Sequence, residues 1–523
     1  MKNIFKANPS QWVQHTLNGM TLEEKVGQLL FSRAHIPDIE QSIKDGIVGG
    51  FYALNHVPAE RIAELKALAK VPLLVAQDLE AGYTANSLQW STALALGAID
   101  DPQLAYDWAN MQAIEARQIG VQAVFGPVLD IAMNPDGALC GIRALSGDAQ
   151  QAASLGVAVV KGFQAAGMLP FAKHFPGFGR GPQDAHIELS VIDTDRETFY
   201  NEDVLPYRKA IAEAGLMGVM TGHIRVDCID PEMPLPMSKK LMDVLKEIGF
   251  NGLAVTDSLA MKGILYHYPA EVLYPGAILS GHDMIIADYQ TPDRIGFGYL
   301  LQAVKAGRIS ESMLNRKVTR LLQMKEFLNN VNVADADREL HRKTFTTICE
   351  RAMTAYCHDG AEFEPIDRSK KSLFVVVSED AADVEGELPS GRSQTQELVR
   401  ALKAAFPNST VRVIPLCQEA VLIEKVLCDG MAHEEVHVIA HATGRAYSGM
   451  SIYHLTFQAL VRGLAPKIHT FVIWGNPFAA KDLPPLKQVL FTYDYGPWID
   501  AAMKILTGES KPKGRLPVKI PSL

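Results

Sequence analysis

The chain has 523 residues, 48% of them apolar and 21% charged, with a formal net charge of −9. That length suits two or more domains and a large core that needs no covalent staples. The acidic balance argues against a nucleic-acid partner, which would favour a basic stripe, and no apolar run is long enough to cross a membrane.

In chain order, the opening "MKNIFKANPSQWVQHTLNGM" has neither a continuous apolar region nor a small-residue cleavage site. It does not read as a signal peptide, so a cytoplasmic location is expected. From about residue 20 to 325, short apolar runs alternate with longer amphipathic stretches. The runs are "GQLLFS" (27–32), "GGFYAL" (49–54), "PLLVAQD" (72–78), "AVFGPVLD" (123–130), "LPFAKHF" (169–175), "GVMTGHI" (218–224), "LAVTD" (253–257) and "DMIIAD" (283–288). Between them lie helical patterns such as "AERIAELKALAK", "AQQAASLGVAVVKGFQAAG" and "SKKLMDVLKEIG". Continuous apolar runs separated by helices read as parallel strands covered on both faces. Eight such units suit an α/β fold of the (β/α)8 TIM-barrel type, with a doubly wound open sheet as the rival.

Residues 309–356, "RISESMLNRKVTRLLQMKEFLNN" and "DRELHRKTFTTICERAMTAYC" included, read as helical. Beyond them "KKSLFVVVSED", "STVRVIPL", "EVHVIAHAT" and "KIHTFVIWGNPF" read as strands of a smaller α/β sandwich domain (αβα) with a mainly parallel sheet. The expected division is a catalytic barrel over 1–330, a helical linker over 331–366 and the second domain over 367–523. Six cysteines, Cys140, Cys228, Cys349, Cys357, Cys417 and Cys428, form no CxxC pair. They fit buried or free thiols in a reducing compartment and argue against structural zinc.

Many of the first eight runs end in a polar residue: Asp78, Asp130, Lys173 with His174, His223, Asp257 and Asp288. In a parallel barrel every strand's C-terminal end opens on one face, so residues scattered in sequence would converge there. One such aspartate alone would be read as a helix cap; six ends together favour a site. Asp257 can serve as nucleophile, metal ligand or cap, and Ser258 beside it can take the capping role. No HExxH or DxD cluster supports a metal. Asp184 and His186 share the loop "FPGFGRGPQDAHIELS". A carboxylate two residues from an imidazole can fix its tautomer and raise its basicity, which suits general acid/base work. Lys173 and His174 are adjacent donors suited to a ligand's hydroxyl groups, Arg143 is another candidate donor, and Asp78 and Glu80 are acceptors suited to sugar hydroxyls. "GFGRGPQ" lacks the features of a phosphate-binding loop.

These pieces together resemble glycoside hydrolase family 3, in particular its bacterial β-N-acetylglucosaminidase branch in the two-domain form. The stretches that carry the resemblance include "MTLEEKVGQLL" (20–30), "PLLVAQDLEAG" (72–82), "GIRALSGD" (141–148), "KHFPGFGRGPQDAHIELSVID" (173–193) and "GFNGLAVTDSLAMKGI" (249–264). The resemblance covers nearly the whole chain. It implies a retaining hydrolase acting on terminal β-linked N-acetylglucosamine of small glycans such as peptidoglycan fragments. Asp257 would be the nucleophile, His186 with Asp184 the acid/base dyad, and Asp78, Asp130, Arg143, Lys173 and His174 would bind substrate. It implies no cofactor and no metal, and a small-molecule glycan as the partner, with no membrane or nucleic acid; the sequence carries no signal for an oligomeric state. Where the family usually reads PGHG, DQEGGRV and TDD, this chain has "PGFG", "DLEAGYT" and "TDS", so Phe178, Ala81, Tyr83 and Ser258 depart from it. The alternatives are a phosphorylase using the same site, a family 3 β-glucosidase or β-xylosidase, and a non-catalytic sugar-binding relative.

Overall fold

The computed structural model describes residues 4–54, 57–80, 91–137, 140–287, 291–378, 394–442, 452–493 and 498–522. It resolves into two compact units. The first comprises Met1–Trp90, Pro102–Ile131 and Ala149–His341, and the second Ser91–Asp101, Ala132–Asp148 and Arg342–Leu523. The second unit therefore takes two short segments from within the first 330 residues.

The first unit is a closed barrel of eight parallel strands. They are β1 (Leu30–Arg33), β2 (Gly50–Tyr52), β3 (Leu74–Gln77), β4 (Ala123–Val124), β5 (Leu169–Phe175), β6 (Gly218–Thr221), β7 (Leu253–Ser258) and β8 (Met284–Ile286). Each pairs with its sequential neighbour, and β8 closes on β1 through Leu30↔Ile285 and Phe31↔Ile286. All eight coincide with the apolar runs read from the sequence, so the closed barrel displaces the open-sheet rival. The strands are mainly apolar up to their C-terminal ends because helices cover the outside while side chains fill the inside. Within the first unit, Phe125 packs against Phe31 at 5.5 Å, Tyr52 at 5.7 Å and Phe171 at 6.0 Å between ring centroids.

The fourth strand is the shortest. Pairing resumes beyond it as an isolated bridge between Val128 and Lys173, because Pro127 has no N–H to offer a ladder. The helix Glu311–Asn329 brings Lys325 beneath the barrel, where Nζ donates to Gln28 Oε1 at 2.6 Å and the Gly49 carbonyl at 2.8 Å. Burial pushes this amine down to about 7. Two short strands outside the barrel, Ser190–Ile192 and Ile224–Val226, run parallel and join the loops that follow β5 and β6.

The second unit holds a six-stranded sheet of β9 (Thr354–Cys357), β10 (Ser372–Val377), β11 (Thr410–Ile414), β12 (Glu435–Ala442), β13 (Ile468–Gly475) and β14 (Gln488–Phe491). The spatial order is β9-β14-β13-β12-β10-β11, and only β9 runs antiparallel to its neighbour. Helices Gln394–Ala405 and Trp498–Leu506 pack together, as do Ala420–Met431 and Leu455–Leu464, to form the outer layers. β9 corrects the sequence reading, which continued a helix through "TAYC". The helix stops at Ala352, the amides of Lys513 and Gly514 take the Met353 carbonyl, and residues 354–357 complete the sheet edge against β14.

His437, in the middle of β12, is buried with no hydrogen-bond partner on either ring nitrogen. Its ring packs 4.8 Å from Phe374 and 5.5 Å from His469. Burial pushes its pKa down to about 3, with His469 and Lys370 adding to the effect. An unfolded histidine titrates near 6.5, so between these values the unfolded chain binds more protons and stability falls as the pH falls. From pH 7 to pH 5 this one group should cost ~2 kcal/mol. His437→Phe should remove that part of the acid sensitivity, measured as the change in thermal midpoint between pH 7 and pH 5. An identical acid loss in the variant would show that His437 is not its source.

Candidate active site

The C-terminal ends of β3, β5 and β7, with the segments after β4 and β6, bring most of the marked residues together. β5 carries Lys173 and His174 just before its last residue, both buried. A buried cation must be paired, and the Lys173 ammonium donates to Asp78 Oδ1 at 2.6 Å and lies 2.7 Å from Glu80 Oε1. The other Asp78 oxygen accepts from the Tyr52 hydroxyl at 2.7 Å. Burial, then Asp78, pushes the Tyr52 phenol far up, so it remains a donor.

His174 is held from the other side. Its Nδ1 lies 2.7 Å from Asp130 Oδ2, and a carboxylate can only accept, so Nδ1 carries the proton. Asp130 Oδ1 accepts from the backbone amides of His174 at 3.1 Å and Phe178 at 3.0 Å. With its side chain fully enclosed, Asp130 orients His174 and offers a ligand no surface. Asp130 thus acts on the site through His174. His174 Nε2 then faces Asp257 Oδ2 at 3.9 Å.

Asp257 lies at the end of β7 and is 9% exposed. Its Oδ1 accepts from the Ser258 amide at 2.6 Å, and the Ser258 hydroxyl accepts from the Ala260 amide at 3.4 Å. Ser258 thus serves the following turn, and Asp257 caps no helix. Burial opposes ionisation of Asp257, but His174, His223, the Ser258 amide and Lys173 together hold its pKa below the ordinary value. His223, at the foot of the segment after β6, is fully buried, and its Nε2–H donates to the Ser258 carbonyl at 2.8 Å. Burial lowers its pKa, and the nearby Asp257 only partly offsets this.

The Gly- and Pro-rich loop after β5 carries Asp184 and His186. Asp184 Oδ1 accepts from His186 Nδ1 at 2.8 Å and from the His186 amide at 2.9 Å, so the imidazole is fixed in ring orientation and tautomer. The amide of Lys262, in the segment that follows β7, donates to the His186 carbonyl at 3.3 Å, which ties the loop to the backbone beyond Asp257. The loop is anchored at its start. Arg180 pairs with Asp203 at 2.8 Å and with Glu202, and Gly179 lies so close to the Ile131 carbonyl that a Cβ would sit 1.9 Å from it. Phe178, where the family pattern has histidine, is buried, its ring set edge-on to His174 with 5.1 Å between ring centroids. It gives that histidine an apolar wall in place of another titratable ring.

Of the eight residues to which the resemblance assigns a role, seven belong to the first unit. Arg143 belongs to the second unit, in the 3-10 turn Gly141–Arg143. Asp288, Ala81 and Tyr83 lie outside the described residues. Sequence reasoning assigned no role to Tyr52, whose only signal was its place at a strand end, and noted His223 at a strand end without giving it work. The arrangement offers a buried carboxylate kept ionised, an imidazole-carboxylate pair able to exchange a proton, and a cluster of donors and acceptors suited to hydroxyl groups.

Residues 21–324 match the model of the glycosyl hydrolase family 3 N-terminal domain, and the chain belongs to that family of glycoside hydrolases. It is 32% identical over 339 residues to a β-N-acetylglucosaminidase/β-glucosidase of Cellulomonas fimi, an alignment covering 61% of this chain and 59% of that protein's length. It is 24% identical over 560 aligned positions to β-hexosaminidase A of Pseudoalteromonas piscicida, covering 92% of this chain and 91% of the relative. The solved structure of a family 3 β-N-acetylglucosaminidase from Paenibacillus sp. str. FPU-7 superimposes with a TM-score of 0.83 at 29% identity, covering 97% of this chain and 100% of that one. A β-glucoside phosphorylase superimposes with a TM-score of 0.84 at 22% identity over 98% of this chain and 96% of its own, a likeness of fold alone.

The electrostatics of Asp257 make a pH prediction. His174 is the largest influence that lowers its pKa. In His174→Gln burial acts on the carboxylate with less opposition, so its pKa rises. The acid limb of the pH profile of kcat/KM should move to higher pH, and an unmoved limb would remove His174 from the control of Asp257.

Proposed function

We propose that the protein is a retaining β-N-acetylhexosaminidase that removes terminal β-linked N-acetylglucosamine from small soluble glycans, peptidoglycan fragments among them. The observation that carries this reading is the division of labour in the barrel site. One carboxylate, Asp257, is kept ionised among basic groups, and the separate Asp184–His186 pair can supply the proton transfer for which most glycosidases use a second carboxylate. The names of the Cellulomonas, Pseudoalteromonas and Paenibacillus relatives support the choice of sugar.

In the first step His186 Nε2–H protonates the glycosidic oxygen as the bond to the anomeric carbon breaks. An Asp257 carboxylate oxygen attacks that carbon, giving a covalent glycosyl-enzyme. Asp184 stabilises the imidazolium and holds it in place through Nδ1. In the second step neutral His186 takes a proton from water, the oxygen attacks the anomeric carbon, and Asp257 leaves as carboxylate with the sugar's β configuration restored. Asp78, Lys173 and His174 grip sugar hydroxyls. The pairing of Lys173 with Asp78 and of His174 with Asp130 fixes their positions before substrate arrives, which lowers the ordering cost of binding.

A panel of aryl glycosides tests the substrate. N-acetyl-β-glucosaminide should be cleaved with the highest kcat/KM, ahead of glucoside and xyloside; a clear preference for the unsubstituted glucoside would overturn the assignment. Added phosphate should leave the rate unchanged and the product free N-acetylglucosamine, whereas a sugar 1-phosphate product would make the enzyme a phosphorylase.

The dyad makes a second prediction. His186→Ala should lower kcat/KM on substrates with poor leaving groups by roughly 10²–10⁴-fold, with a much smaller loss on activated aryl glycosides. Asp184→Asn should approach the same pattern, and the double variant should be little worse than either single one, because the two act as a unit. Multiplicative losses would show two independent residues.

A further inference from the structure

Nothing in the proposed chemistry uses Gly263, yet the loop that carries His186 rests on it. The amide of Lys262 donates to the His186 carbonyl at 3.3 Å, and the amide of Gly263 to the Ala185 carbonyl at 3.1 Å. The loop side of this contact is a tight turn, in which the Asp184 carbonyl accepts from the amides of Ile187 at 2.8 Å and Glu188 at 2.9 Å. Gly263 is buried against that turn. A Cβ there would stand 2.5 Å from the Glu188 carbonyl oxygen, 2.6 Å from the Ala185 carbonyl oxygen and 2.8 Å from the Glu188 carbonyl carbon. All three are backbone atoms, so no side chain can swing aside to make room.

We propose that Gly263 is a positioning residue for the acid/base: its missing side chain lets residues 184–188 dock on the backbone just beyond the nucleophile strand, and this contact sets the separation of His186 from Asp257. The proposal rests on the reading of His186 as the acid/base. The run from Asp257 to Gly263 is short and its first part is fixed. Ser258 is tied to His223 through its carbonyl, and the Ala260 amide to the Ser258 hydroxyl. The nucleophile and the proton donor, far apart in sequence, thus share one backbone platform. A methyl group at 263 must push the loop away from it, and a displacement approaching 1 Å of a reacting group can cost about 10²-fold in rate.

Gly263→Ala should lower kcat/KM about 10²-fold on poor leaving groups and only a few-fold on activated aryl glycosides. With an activated substrate, azide should raise kcat, because it attacks the anomeric carbon of the glycosyl-enzyme without needing a base. In the His186→Ala background Gly263→Ala should add little. A second pair of variants acts at the neighbouring hydrogen bond of the same contact. Lys262 opens the short helix Lys262–Leu265 after Met261 in an extended conformation, a position that accepts proline. Lys262→Pro removes the amide that bonds the His186 carbonyl, whereas Lys262→Ala keeps it. The proline variant should fall several-fold below the alanine variant on poor leaving groups alone. Equal losses on both substrate types, absence of azide rescue, or a multiplicative effect with His186→Ala would overturn the platform role. If Gly263→Ala does not fold, the Lys262 pair decides alone. If His186→Ala itself shows no leaving-group selectivity, the acid/base reading fails, a result distinct from selective His186→Ala with unselective Gly263 and Lys262 variants.

Discussion

Two adjacent basic side chains buried at the end of β5 are the constraint from which the site follows. Neither Lys173 nor His174 could remain there unpaired, because burial without a partner costs several kcal/mol. Each is satisfied by carboxylates from other segments, Lys173 by Asp78 and Glu80 after β3 and His174 by Asp130 after β4. Once His174 is held through Nδ1, its other nitrogen faces Asp257 on β7. Closure of the barrel brings these ends to one rim, and pairing of the charges gives the rim a single arrangement.

The same pairing accounts for the state of Asp257. A carboxylate this enclosed would ordinarily take up a proton, since burial favours the neutral form. His174, His223 and Lys173 reverse that balance. His223 contributes without exposing any surface, and its bond to the Ser258 carbonyl holds the backbone beside the carboxylate. Phe178 seals the far side of His174 with an apolar ring. A preorganised carboxylate of this kind needs little rearrangement when a substrate arrives, which is where such sites derive much of their catalytic effect.

Much of this was legible in the sequence because it depends on pattern. The eight barrel strands are apolar on both faces and stand out as runs, and the polar residues at their ends mark the rim. What was not legible depends on distance between backbones or on very short elements. "TAYC" follows a helical pattern without a break, and only the partner strand Gln488–Phe491 makes it a strand. The three-residue strands Ser190–Ile192 and Ile224–Val226 are too short to show a period. Asp130 reads as a rim residue like the others, and its full enclosure by His174 and the Phe178 amide appears only in three dimensions. Gly179 and Gly263 look like loop punctuation, whereas their work is close approach of one backbone to another. A turn-rich loop suggests mobility, and here its glycines let it pack.

The central claim is that Asp257 carries the sugar through a covalent intermediate. The most direct measurement uses a fluorinated N-acetylglucosaminyl fluoride, which forms a glycosyl-enzyme readily and releases it slowly, followed by proteolysis and mass spectrometry of the peptides. The account predicts one added sugar on the peptide that contains Asp257, located to that residue by fragmentation. A label on any other residue, or rapid turnover through a product of inverted configuration with no labelled peptide, would contradict it.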